Sequence, residues 1–249
     1  MKIKYIFTTL LVLCIYACGE RKEHSKREAA LTLQNMPGDS TYYGLACDGC
    51  TDSILVVLPF TGEDPDTFDI IHAQQQRQIY GRPKVGDELA IILNPEDKEE
   101  ALMVINIEQL KGQWCYQVMP ALRHIEKMPQ RMQRRMMERI PDSVKERLLV
   151  PHEYSIRLKR GNVAQSLGAG RNTDQMSPVE YPQMRRYAEW RIFNGKLLLG
   201  TDTTSFANTQ EKKKQEYDTV DIQLLRRDTL VLKYKDHEQG YYRKTTSNL

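Results

Sequence analysis

The chain has 249 residues, with 36 Lys plus Arg against 33 Asp plus Glu and a formal net charge of +3. That balance excludes a dedicated nucleic-acid binder, which presents a dominant basic face. With 40% hydrophobic and 28% charged residues the chain can bury a core, and its length suits one large or two small domains. Five cysteines are too few for a disulfide-built miniprotein.

Residues 1–17 read as a secretory signal. Lys2 and Lys4 supply a positive start, and residues 5–16 form an uncharged apolar run. The run is shorter than the roughly 20 residues that span a bilayer. It ends Ile15-Tyr16-Ala17-Cys18-Gly19. This resembles the lipobox of bacterial lipoproteins, with an aliphatic residue three before the cysteine and a small one directly before it. The resemblance implies that Cys18 is acylated and becomes the mature N-terminus, held in the membrane by more than one acyl chain. In such lipoproteins an Asp after the cysteine favours inner-membrane retention. Gly19 therefore implies the outer membrane, on the periplasmic face or the cell surface. The mixed-charge stretch that follows makes 18–40 a lipidated, solvated tether. Lys2 and Lys4 leave with the signal, so much of the small basic excess is a targeting feature.

Strand signals begin after the tether. Residues 53–58 are a continuous apolar, β-branched run, as expected of a strand buried on both faces, and 61–66 form a turn-rich break. Residues 69–80 fit strand or helix. A turn at 81–87 leads into a strand at 88–93, and 94–97 separates it from another at 101–107. Four or five short strands between 41 and 108 predict a small β-barrel-like region.

A further strand is expected at 113–119. The pattern then changes: Leu122, Ile125, Met128, Met132 and Met136 recur at helical spacing within about 120–150, where Pro129 and Pro141 should interrupt the helix. Strands return after Pro151, with alternation through Tyr154, Ile156 and Leu158 and a turn at Arg160-Gly161-Asn162. Asn194-Gly195 between 190–193 and 196–199 is the strongest hairpin signal. Strands at 220–225 and 230–234 flank Arg226-Arg227-Asp228, and Tyr241-Tyr242 opens a last short strand. The fold class expected is mainly β, with a second, antiparallel up-and-down barrel over 109–249 carrying a helical insertion.

Two resemblances extend this reading. Tyr43-Gly44-Leu45-Ala46-Cys47-Asp48-Gly49-Cys50, followed by a hydrophobic strand, is similar to the N-terminal domain of the NlpE family of copper-homeostasis lipoproteins. The match covers 43–58; one residue before the first cysteine is missing, and the family's second cysteine pair has no counterpart. The second half resembles lipocalin-like domains, on Leu110-x-Gly112-x-Trp114, Tyr187-x-x-Trp190, the Asn194-Gly195 hairpin and the closing strand pair. It implies that Gly112 and Trp114 lie at the closed base of a barrel, with the indole packed on an arginine near the last strand. Arg243 is the nearest by position. Trp114 as an ordinary core aromatic is the alternative.

Cys47 and Cys50 are the one motif with a chemical edge. The pair admits a disulfide, a soft-metal site or redox chemistry. A strand rather than a helix follows Cys50, which removes the support that thioredoxin-like chemistry needs. Asp48-Gly49 suits a tight disulfide loop. Copper is the cofactor that the NlpE resemblance implies; Cys115 could join the pair as a third ligand, and the methionine stripe reads more simply as core filling. Between 121 and 148 there are eight Lys or Arg against four Asp or Glu. Arg131, Arg134, Arg135 and Arg139 form a candidate surface for a partner or a membrane, with a solvated outer face as the plain alternative. No nucleophile elbow, phosphate loop, dinucleotide fingerprint or paired metal histidines occur, so no enzyme class is indicated. The expectation is a lipid-anchored envelope protein that binds or senses a small apolar ligand. The alternatives are a copper or thiol-redox stress factor using Cys47 and Cys50, and an assembly accessory that docks an envelope partner through the basic segment.

Overall fold

The computed structural model describes residues 36–123, 128–168, 179–201 and 216–244. The signal segment, Cys18 and most of the tether lie outside these residues. The described chain is mainly β, built as a curled six-stranded sheet followed by an eight-stranded barrel.

The first unit runs β1 (Tyr42–Ala46), β2 (Ile54–Pro59), β3 (Asp66–Asp69), α1 (Ile71–Gln75), β4 (Ile79–Tyr80), β5 (Glu88–Leu93), β6 (Ala101–Asn106) and α2 (Ile107–Leu110). The strand order is β3-β2-β1-β5-β6-β4, and a parallel bridge from Asp69 to Glu100 draws the β3 edge towards β6. Two expectations change here. The apolar run of β2 is not buried on both faces: Leu55 and Val57 point inward while Ile54 and Leu58 are exposed, because only one side of that strand is covered. The doubly buried strands are β5 and β6. Leu89, Ile91 and Val104 face the unit's own core, and Ala90 and Ile105 face the barrel. Strands covered on both sides read as unbroken apolar runs.

The barrel comprises β7 (Gly112–Val118), the short β8 (Ala121–Leu122), α3 (Gln130–Arg139), α4 (Asp142–Leu148), β9 (His152–Leu158), β10 (Ala164–Leu167), β11 (Val179–Glu180), β12 (Tyr187–Phe193), β13 (Lys196–Thr201), β14 (Tyr217–Leu225), β15 (Thr229–Lys233) and β16 (Glu238–Arg243). Its order is β10-β9-β7-β16-β15-β14-β13-β12. A Val163–Glu189 bridge and the Trp190 N–H bonded to the Asn162 carbonyl join β10 to β12. Around the ring each strand therefore neighbours the one before and after it in the chain, apart from the β8–β11 ribbon, and β16 returns to β7 through Tyr242–Cys115 and Arg243–Trp114. The sheet is thus nearly closed, with its β10 and β12 edges joined at the Val163–Glu189 bridge rather than by a full ladder.

Pro129 and Pro141 sit at the N-caps of α3 and α4. They open two short helices, since proline lacks only an N–H that the first turn leaves unpaired. This agrees with the two or three short helices, rather than one long one, that the prolines lead one to expect. The expected last strand is six residues long. Asn194 and Gly195 both have positive φ (48° and 76°), as a type I′ hairpin turn requires. A Cβ on Gly195 would come within 2.8 Å of the Met103 sulfur, so this turn also packs against the first unit.

Candidate functional site: the barrel interior

Strand direction gives the barrel two unlike ends. Gly112, the 159–163 turn, the Asn194-Gly195 turn and Arg243 lie at one end, where the first unit also packs. Tyr80, Ala90, Ile105, Ile107 and Leu110 of that unit share the barrel's hydrophobic core, and the Gly81 N–H bonds to the Leu225 carbonyl.

This end is closed. Trp114 is fully buried and its indole N–H donates to the Leu110 carbonyl at 2.8 Å. The Arg243 guanidinium lies 4.2 Å from the Trp114 ring centroid, donates to the carbonyls of Lys111 at 2.8 Å and Arg227 at 2.6 Å, and reaches that of Gln109. Gly112 takes φ +139°, and a Cβ there would collide with the Arg243 guanidinium. Above this base, Leu158, Leu197, Leu199, Leu230 and Leu232 fill the interior and leave only about 10 Å³.

The other end is open. A cavity there is lined by Tyr116, Tyr187, Tyr234 and Tyr241, with Ile156 and Met184; the full recess of about 940 Å³ also takes in the outer face of the wall along Lys196, Thr219, Asp221 and Lys233. Tyr116 packs edge-on against Tyr154 and Tyr241 at 5.9 and 5.2 Å. The Tyr234 and Tyr241 hydroxyls are 2.8 Å apart. Tyr187 donates to Asp218 at 2.7 Å, and Arg185 holds the same carboxylate at 2.9 Å. His237 stacks on Tyr234 at 4.8 Å. The segment between β11 and β12 crosses the mouth. Tyr154 bonds the Pro182 carbonyl at 2.9 Å, and Tyr181 bonds that of Val150 at 2.6 Å.

Burial pushes the Tyr116 and Tyr234 hydroxyls up to about 12 and raises Tyr187 and Tyr241 further, with neighbouring tyrosines and Asp218 adding to the shift. All four are neutral phenols at physiological pH. They offer flat apolar faces with hydrogen-bonding tips, the surface that suits an amphipathic molecule, and none is an activated nucleophile or base.

No disulfide joins the cysteines among the described residues. Cys47, Cys50 and Cys115 are free thiols. The Cys50 sulfur lies 3.2 Å from the Cys47 carbonyl and accepts from the Val56 N–H at 3.4 Å, while Cys47 turns to the Leu45 carbonyl. Each thiol is thus engaged by the backbone of its own loop. Cys115 does not join them: it is buried in the barrel wall beside Gln113, with Ser155 opposite on β9. Among the described residues no group of three or more His, Cys, Asp or Glu side chains is placed to hold a metal ion. Arg131, Arg134, Arg135 and Arg139 are all exposed on α3. The residues that sequence reasoning missed are the cavity tyrosines, which sit on separate strands with no motif to link them.

An eight-stranded meander, nearly closed on itself with a packed base and one open end, is a lipocalin-like fold. A family model described as lipocalin-like matches residues 171–245, under a third of the chain. A crystal structure of a lipocalin-like protein from Bacteroides thetaiotaomicron VPI-5482 is similar at 21% identity, over 54% of this chain and 95% of that one, with a TM-score of 0.28. No curated protein matches.

Proposed function

We propose that this protein is a lipid-anchored envelope protein that binds an amphipathic small molecule in the open half of its barrel. The observation that carries the reading is the division of the barrel interior. The base is solid, with about 10 Å³ left over, whereas the space above it opens between aromatic walls. Small-molecule sites typically combine apolar walls with a few placed polar groups. Here those groups are the Tyr234–Tyr241 pair and Tyr187 with Asp218. The Tyr116 hydroxyl, which has no hydrogen-bond partner among the described residues, can serve a ligand. The lipobox at Cys18 supports the anchor, and Gly19 supports the outer membrane.

The test is a fluorescence titration with 11-(dansylamino)undecanoic acid, an apolar chain with polar ends. Saturable binding is expected, weakened at least tenfold in Met184→Trp, which fills the mouth without entering the packed base. Absence of saturable binding to the native chain would contradict the reading.

A further inference from the structure

The connection from β7 to β9 leaves and re-enters the barrel at its open end, since Val118 pairs with His152 across the two strands. It carries α3 and α4, and five of its apolar side chains are exposed: Met119, Met132, Met136, Val144 and Val150. Helix α3 buries no residue. Its half-buried side is Gln133, Met137 and, just past its end, Ile140. Met132 (59% exposed) and Met136 (43% exposed) stand one turn apart on another side. Beside them run Arg131, Arg135 and Arg139, also one turn apart, whereas Arg134, two residues from either methionine, lies on the opposite face.

Among the described residues none of these four arginines forms an ion pair, and the helix contributes a single acid, Glu138. Like charges spaced four residues apart disfavour an isolated helix. A row of them beside bare methionines is relieved by a surface that is both anionic and apolar. A bilayer bearing anionic headgroups has both properties, taking the methionines at the acyl boundary and the arginines among the phosphates.

We infer that α3 docks the open end of the barrel onto an anionic membrane surface, placing the mouth of the tyrosine-lined cavity where an amphiphile can pass from the bilayer. The passage of ligand rests on the binding function proposed above; the docking does not. The lipid anchor is compatible with this orientation. The first described residues are tied to the closed end, where Ser40 and Gly38 bond Asn194. The chain from 19 to 35 can span up to about 60 Å at roughly 3.5 Å per residue, against about 23 Å for a seven-residue strand.

The mature chain, residues 18–249 with Cys18→Ser so that neither an acyl group nor the signal segment contributes, is mixed with phosphatidylcholine vesicles with or without 30% phosphatidylglycerol and sedimented. Binding is expected to be at least tenfold stronger to the anionic vesicles. R135E/R139E should lose that preference, and M132S/M136S should weaken it severalfold. Because α3 buries nothing, both variants should keep the native melting temperature and the dansyl-probe affinity. Equal binding to both vesicles, or an unchanged preference in R135E/R139E, would overturn the proposal. Anionic-vesicle binding by a chain that takes up no dansyl probe would support docking and overturn the cavity reading instead.

Discussion

The Arg243 guanidinium lies 4.2 Å from the centroid of the Trp114 ring, fastening the last strand of the barrel to the first. Its hydrogen bonds to the carbonyls of Lys111, Gln109 and Arg227 add the preceding helix and the β14–β15 turn to the same knot. Arg243→Ala removes a cation–π contact and three charge-assisted bonds, and should cost about 2–4 kcal/mol in urea denaturation. Gly112→Ala should also destabilise, because its Cβ would occupy the guanidinium's place and its φ of +139° disfavours a side chain. In an Arg243→Ala background the collision is gone, so the second substitution should cost measurably less than it does alone. Strict additivity would contradict this packing.

Asn194 shapes the β12–β13 turn and also ties down the start of the described chain. Its side-chain oxygen accepts from the Ser40 N–H and hydroxyl at 2.8 Å, and its amide donates to the Gly38 carbonyl at 3.2 Å. Asn194→Ala loses these bonds and places a less tolerant residue at φ 48°. A loss of about 1–2 kcal/mol is expected, with faster proteolysis near residue 40. Unchanged protease resistance would count against the tie.

The tyrosine cluster gives an alkaline signature. Tyr116 and Tyr234 are raised in the fold to about 12 by burial, whereas an unfolded tyrosine ionises near 10. The folded state therefore holds these protons longer. The stability linked to them is fully present below about pH 10 and declines as pH rises towards 12. Phenolate absorbance at 295 nm should show exposed tyrosines titrating near pH 10 and a late group that appears with unfolding. Titration of all thirteen tyrosines in one step near pH 10, with the fold intact, would contradict the buried cluster.

Thiol labelling should separate the described cysteines. Cys47 and Cys50 are partly exposed. Cys115 is fully buried, and burial followed by the nearby Glu153 raises its thiol pKa. Reaction at pH 8 should modify Cys47 and Cys50 in the native protein and Cys115 only after denaturation. Early modification of Cys115 would show that the β7–β16 wall opens.

Local chemistry made much of the barrel legible. Asn194-Gly195 marks its own hairpin, since few other pairs tolerate two positive φ angles. The alternation at Tyr154, Ile156 and Leu158 marks a strand with one face inward. Arg243 could be matched to Trp114 only through a resemblance, because 129 positions of chain separate them. The burial of β2 was misread because an apolar run records what a strand could bury, not what covers it. At Cys47 and Cys50, spacing admits a disulfide, and the structure holds both as free thiols engaged by the backbone of their loop. The cavity was invisible for a further reason. Tyr116, Tyr187, Tyr234 and Tyr241 converge only once the barrel closes, and tyrosines in strands are common enough to attract no notice alone.

The proposed ligand site is the tyrosine-lined half of the barrel. Methyl NMR on methionine-labelled protein tests it directly, because Met184 lines that cavity while Met103 lies at the closed end against Gly195. Titration with 11-(dansylamino)undecanoic acid should shift the Met184 methyl resonance progressively to saturation and leave that of Met103 in place. A shift at Met103 with none at Met184 would contradict the account.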